Sequence, residues 1–368
     1  MKIKNVLVVD PIKGEFVGEI SWENDVIKEV LPTNASSYEK ILMPGFVDPH
    51  THGCRGIDTM DIDDESLEKW ERFLYSQGVT SFLPTTVSAR KEEMIRVSNM
   101  IEEYVYKNPK TSVVGIHYEG PYININKKGA QNPDAIREAS PKEVEEILSP
   151  KVKLITMAPE IKGFYEVLPL LKENGTVVSI GHSDANFYDM KRAFLNGVNR
   201  ITHFPNAIRG LHHRELGGLG AGLYFDFSIE MIVDGIHLSP EFVKLIYNLK
   251  GSEKISLITD SISAAALEDG EYELGGLKVN VVDSKATLDD GTLAGSTLLF
   301  NDAVKNFKNF TRCSLKELAR VSSYNSVLAL NLKKIGRIEE GYKANFVLLD
   351  KELNVVETYL NGEKVYQI

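Results

Sequence analysis

ILMPGFVDPHTHG, Ile41–Gly53, is a short apolar run that ends in two histidines one residue apart. In an extended segment, residues two apart point the same way. His50 and His52 therefore present both imidazoles on one side at the end of a strand. The same design recurs along the chain. Apolar runs at Ser81–Pro84, Val113–His117, Val152–Met157, Val177–Gly181, Ile201–His203, Ile229–Val233 and Ile255–Thr259 bring the number of such strands, with Ile41–Val47, to eight. Amphipathic helical patterns lie between them, clearest at Asp64–Ser76, Lys91–Tyr106, Pro141–Leu148, Ala185–Leu195 and Pro240–Leu249. Ser140-Pro141 and Ser239-Pro240 supply cap and first-turn signals. Alternation of this kind predicts an α/β fold, a (β/α)8 TIM-like barrel over residues 44–332. A doubly wound open sheet is the alternative. Helical patterns near Thr297–Asn309 and Leu315–Leu330 complete the ring.

Both ends of the chain read differently. Asn5–Asp10, Glu15–Trp22 and Val26–Leu31 are Val/Ile-rich strands broken by turn residues, with no helical period. Phe346–Asp350, Val355–Leu360 and Lys364–Ile368 look alike, with Asn361-Gly362 as a hairpin turn. Residues 1–43 plus 333–368 are thus expected to form a small β-sandwich domain from both termini. Tyr272–Leu274, Leu277–Val281 and Ala286–Leu288 break the alternation and predict a β insertion near 270–293, either at the barrel mouth or joined to the β domain.

Composition narrows the class. The 368 residues are 43% hydrophobic and 26% charged, ordinary for a globular protein with an ample core. The net charge of −10 argues against a nucleic-acid partner, whose phosphates attract basic surfaces. No apolar run has the length of a membrane span. MKIKNVLVVD is interrupted by Asp10 and lacks a signal peptide's apolar region. Cys54 and Cys313 are far apart, with no zinc or disulfide spacing. A cytoplasmic protein is expected, with neither a nucleic acid nor a membrane as partner.

The polar residues of interest fall at the C-terminal ends of the predicted strands, where barrel enzymes place their chemistry. His50 and His52 follow the first strand, Glu119 the third, His182 the fifth, His203 the sixth, His237 the seventh and Asp260 the eighth. Each has a plain structural reading when taken singly. The histidine pair reads as two loop residues, Glu119 as half of a salt bridge, His182 and His203 as hydrogen-bonded strand ends, and Asp260 as a helix cap. The joint pattern reads otherwise, because five of only eight histidines gather at one face of one barrel. Imidazole and carboxylate ligands without cysteine favour Zn²⁺ or Fe²⁺ and also suit Mn²⁺ or Co²⁺.

This order resembles the amidohydrolase superfamily. MPGFVDPHTHG (Met43–Gly53), HYEGPYIN (His117–Asn124), GHSDA (Gly181–Ala185), THFPNAI (Thr202–Ile208), DGIH (Asp234–His237), TDSISAA (Thr259–Ala265), LAGS (Leu293–Ser296) and GRIEEGYKANFVLLD (Gly336–Asp350) resemble the N-acetylglucosamine-6-phosphate deacetylases within it. The resemblance spans nearly the whole chain. It implies hydrolysis of the acetamide of a phosphorylated amino sugar, in amino-sugar catabolism, by a homodimer carrying one or two divalent ions per chain. Glu119, His182 and His203 match the principal metal ligands, and His50 and His52 are retained where some members hold only one ion. Asp260 matches the catalytic acid/base. Ala130, Gln131, Asn206, Ala207, Arg214, His237, Leu293, Ala294 and Gly295 match residues lining the sugar phosphate pocket, with Arg214 on the phosphate across the dimer interface. His237 is also expected to stabilise the oxyanion. Three positions depart from the pattern: Ser261 for a usual Ala, Asn345 for a usual Asp, and Gln131 for a frequent His. The nearest rival is another superfamily amidase of the dihydroorotase kind; a non-catalytic scaffold would have lost ligands that this chain keeps.

Overall fold

The computed structural model describes residues 1–35 and 37–368. Eight parallel strands follow one another in chain order around one sheet: Phe46–Thr51, Val79–Thr86, Ile116–Glu119, Val152–Met157, Val177–Ile180, Arg200–Ile201, Ser228–Ile232 and Ile255–Ile258. The α/β barrel is as expected. Side chains help join its first and last strands. Thr259 Oγ1 donates to Asp48 Oδ2 (2.6 Å), and the Asp260 N–H donates to the His50 carbonyl (2.9 Å). That seam carries the start of the His-x-His segment and Asp260 side by side.

One predicted barrel strand divides. Ile41–Val47 is not continuous: Lys40–Pro44 belongs to the terminal sheet, and the barrel strand begins at Phe46. Gly45 makes the switch, because a Cβ there would lie 2.2 Å from Thr80 Oγ1. The sixth strand is only Arg200–Ile201, as the chain turns out of extended geometry at His203, φ 30°.

Helices Asp64–Ser76, Lys91–Lys107, Pro141–Ile147, Phe187–Leu195 and Pro240–Lys250 cover the barrel close to the predicted spans. Asp63, Asn186 and Ser314 each form capping boxes at helix starts. Phe164–Asn174 holds Pro169 inside it, and Gly217–Tyr224 is half glycine; neither pattern announces a helix. The second exists through close packing, since a Cβ on Gly222 would lie 2.4 Å from Phe204 Cε2.

The strands from both termini form one seven-stranded sheet rather than two separate ones. It curls enough to bring distant strands into side-chain contact. Trp22, near one end, meets Phe346 edge-on at 5.2 Å and Tyr359 at 5.4 Å between ring centroids, although three other strands' worth of sheet separates Trp22 from Tyr359. The insertion is a three-stranded sheet of Gly270–Leu274, Leu277–Val282 and Lys285–Thr287. Leu274, Val279, Val281 and Ala286 pack on Val87, Ile262 and Ala294, which places the insertion at the barrel mouth. No helix among the described residues is long and apolar enough to cross a membrane.

Asp10 ties the first strand to the returning C-terminal segment. Fully buried, it accepts from the N–H groups of Ile12, Lys13 and Ile338 and from Arg337 Nε (2.8 Å). Burial pushes its pKa up, but Arg337 and the turn amides outweigh that and hold it below the ordinary carboxylate value. A depressed folded-state pKa stabilises the fold above the unfolded-state value of 3.8 and is lost as pH falls through the lower folded-state value. Asp10→Ala is expected to cost about 3 kcal/mol at pH 7, because it removes the buried partner of Arg337 and leaves that guanidinium only the half-buried Glu339 (3.1 Å). Urea unfolding at pH 7 and pH 3 checks this; the gap between the variant and the native chain narrows at the lower pH.

Candidate metal centre

The strand-end residues converge on the floor of a cleft of about 490 Å³ at the barrel mouth. Glu119 stands at the middle. Its Oε1 lies 3.1 Å from His182 Nε2, 2.9 Å from His203 Nε2 and 3.4 Å from His50 Nε2, and its Oε2 lies 3.2 Å from His52 Nε2. Asp260 Oδ1 lies 3.2 Å from His50 Nε2 and 3.1 Å from His52 Nε2. Two donor sets result, Glu119–His182–His203 and His50–His52–Asp260, each with its ligand atoms within 4.8 Å of one another. All six residues are buried.

Local backbone geometry aims these groups. His182, His203, Ala207 and Asp260 adopt φ of 47°, 30°, 52° and 51°, in or near the left-handed region that costs a side-chain-bearing residue free energy. The strands thus end by turning their last side chains inward over the barrel axis.

The donor chemistry fits a divalent cation. Burial alone would push the Glu119 and Asp260 carboxyls up; the facing imidazoles hold both well below the usual range. Burial would likewise depress the imidazoles, yet Asp260 and Glu119 push His50 up and His52 to about 9, and Glu119 raises His182. The centre therefore demands positive charge. His52 Nδ1 faces the Thr85 carbonyl (3.0 Å) and His182 Nδ1 the Lys127 carbonyl (2.8 Å). Carbonyls only accept, so these rings carry their proton on Nδ1 and turn an Nε2 lone pair inward. Nε2 atoms of His182 and His203 lie 3.0 Å apart, and those of His50 and His52 3.3 Å apart. One cation satisfies such paired lone pairs without crowding two protons between them.

Ala130, Gln131, Asn206, Ala207, His237, Leu293 and Gly295 border the same cleft. Ala294 does not: it is buried in the apolar cluster beneath the insertion, so only its neighbours face the cavity. Arg214 lies outside the cleft on an exposed tip, with Nη1 2.8 Å from His213 Nε2. Gln131, where the family pattern often has His, donates to Glu119 Oε2 (2.5 Å) and accepts from the Ser88 N–H (2.6 Å). It braces the central carboxylate. His237 is held by Asp234, Nδ1 to Oδ2 2.7 Å. Sequence reasoning passed over Lys127 and Lys128, which also line the cleft. The paired lysines before Gly129 were the available signal.

Residues 41–365 match the profile of the amidohydrolase family. The chain belongs to that family. This amidohydrolase is 39% identical over 328 residues to N-acetylglucosamine-6-phosphate deacetylase of Lysinibacillus sphaericus, covering 88% of this chain and 85% of that one. It is 32% identical over 347 residues to N-acetylgalactosamine-6-phosphate deacetylase of Escherichia coli O157:H7, covering 92% of each. The crystal structure of N-acetylglucosamine-6-phosphate deacetylase from Thermotoga maritima superposes with a TM-score of 0.97 at 50% identity, covering 100% of both chains.

Proposed function

We propose that this amidohydrolase hydrolyses the acetamide of N-acetyl-D-glucosamine 6-phosphate to D-glucosamine 6-phosphate and acetate, in amino-sugar catabolism. The observation that carries the reading is the gathering of Glu119, His182, His203 and Asp260 on one cleft floor, in a chain similar throughout to such deacetylases. Glu119, His182 and His203 would hold a divalent cation, zinc or ferrous iron, and His50, His52 and Asp260 a second. A cation there supplies Lewis acidity, which polarises a carbonyl and makes water easier to deprotonate.

The chain's own groups do the rest. Asp260, kept ionised beside His50 and His52, takes the proton from the attacking water. It returns that proton to the departing nitrogen, which would otherwise be a poor leaving group. Asp234 fixes His237 through Nδ1, so Nε2 meets the substrate beside the developing oxyanion. Asn206 and Ala207 border the sugar, and Leu293 and Gly295 close the other wall. Lys127 and Lys128 give the cleft the positive charge that a phosphate monoester needs.

Arg214 acts from the partner in a homodimer. Its segment carries exposed Leu211, and Glu215 in that segment accepts from the N–H of Phe187 (3.4 Å), whose ring meets that of exposed Tyr224 at 5.4 Å, an apolar surface of the kind a second copy covers. Two buried free thiols accord with a reducing cytoplasm. Acetate release is measured with the N-acetylglucosamine and N-acetylgalactosamine 6-phosphates, and ring opening with dihydroorotate. Turnover on the first sugar supports the reading, and activity on dihydroorotate alone sinks it. Arg214→Ala is expected to raise KM for the phosphorylated sugar about 10–100-fold while leaving free N-acetylglucosamine nearly unchanged. Equal effects on both would remove Arg214 from phosphate recognition.

A further inference from the structure

Beneath the metal centre lies an ion pair that the proposed chemistry does not use. Arg200 and Glu230 are 1% and 0% exposed inside the barrel. Arg200 Nε donates to Glu230 Oε1 (3.0 Å) and its Nη2 lies 2.9 Å from the same oxygen, but neither Nη1 nor Nη2 has a hydrogen-bond acceptor among the described residues. A buried pair of this sort is often no more stabilising than well-packed apolar side chains. A guanidinium with a spare N–H group in the core adds to the cost. Packing alone does not account for it.

The other carboxylate oxygen gives the reason. Glu230 Oε2 lies 3.4 Å from His50 Nδ1 and 3.4 Å from the His203 backbone N–H. Among the four histidines of the two donor sets, His52 and His182 rest on neutral carbonyls, and His203 Nδ1 has no partner among the described residues. His50 alone is backed by a carboxylate. Arg200 holds the other oxygen of Glu230, so the oxygen facing His50 accepts; His50 carries its proton on Nδ1 and directs Nε2 at His52, Glu119 and Asp260.

We propose that Glu230, held by Arg200, is a positioning residue that sets the orientation and tautomer of His50 and so tunes cation affinity at the His50–His52–Asp260 set. A carboxylate behind an imidazole ligand makes its other nitrogen a stronger donor. The negative charge reaches only the ring on this side of the centre; at His203 it meets the backbone and not the side chain. The two donor sets therefore differ in strength by construction, and Glu230 accounts for part of that difference.

This inference rests on the reading of His50, His52 and Asp260 as a cation site. The test is Co²⁺ titration of metal-stripped full-length chain, followed by calorimetry and by the visible absorption of bound Co²⁺. The native chain is expected to take two ions. The double variant Arg200→Met with Glu230→Leu replaces the pair by apolar groups and is expected to fold, as its thermal transition will report. In it, one site weakens about 10–100-fold and its absorption changes, while the Glu119–His182–His203 site shifts much less. Glu230→Gln keeps an acceptor without the charge and recovers part of the loss; it also serves if the double variant fails to fold. Two unchanged sites in either folded variant, or equal loss at both, overturn the role given to Glu230. A native chain that binds a single Co²⁺ overturns the second cation site itself, which is a separate failure.

Discussion

Asp260→Asn is expected to lower kcat for acetate release by about 10²–10⁴-fold, the range set by a positioned general acid/base. The amide matches the carboxylate in size, so the seam at the Asp260 N–H and His50 carbonyl survives. What disappears is the proton acceptor. Asp260 Oδ1 lies 3.2 and 3.1 Å from the Nε2 atoms of His50 and His52, and those imidazoles keep it ionised against burial. An amide can neither accept the water's proton nor hand one to the leaving nitrogen. The substitution also removes an anionic donor from the His50–His52 set, so metal content is measured beside kcat. A chain that keeps its Glu119-site ion, binds the sugar phosphate and turns over poorly assigns the proton transfer to Asp260. Near-native kcat would remove Asp260 from the mechanism.

Glu119→Gln is expected to be at least as damaging. Glu119 lies within 3.4 Å of all four histidine Nε2 atoms. Its charge supports both donor sets at once, and a neutral amide in its place leaves buried imidazoles facing one another without a shared anion. Metal content after dialysis is expected to fall well below one ion per chain. Turnover should fall about 10³-fold or more, since Lewis acidity contributes several kcal/mol to the transition state. Loss of a tightly bound ion also lowers thermal stability by mass action, and the melting transition of the variant should stop responding to added metal. Full metal content with turnover within tenfold of native would refute the central place given to Glu119.

Much of the architecture was readable because burial writes a period into the chain. Strand–helix alternation gave the barrel, and the Val/Ile-rich ends gave the terminal sheet. The exceptions have physical causes. Ile41–Val47 looks like one strand because both halves are apolar; only the contact between Gly45 and Thr80 shows where the chain leaves one sheet for another. Gly217–Tyr224 lacks helix propensity, and its helix depends on Phe204 lying against it. In the cleft, the residues readable from the chain were those fixed at strand ends. Ala294 follows a cleft-lining residue but turns its side chain under the insertion, a matter of local rotation that spacing does not encode. Lys127 and Lys128 belong to a loop seated by His182, and the reach of a loop depends on its anchor.

The amino-acid order alone established which side chains end the strands of one barrel face. The strand period fixes direction, and the C-terminal mouth collects whatever stands there. It did not establish how those side chains face one another. That Glu119 lies between two histidine pairs, that Gln131 braces it, and that Glu230 and Arg200 stand behind His50 depend on strands far apart in sequence closing into a ring. Distances of about 3 Å between such groups follow from strand stagger and seam contacts. Those are properties of the whole packed barrel and of no single segment.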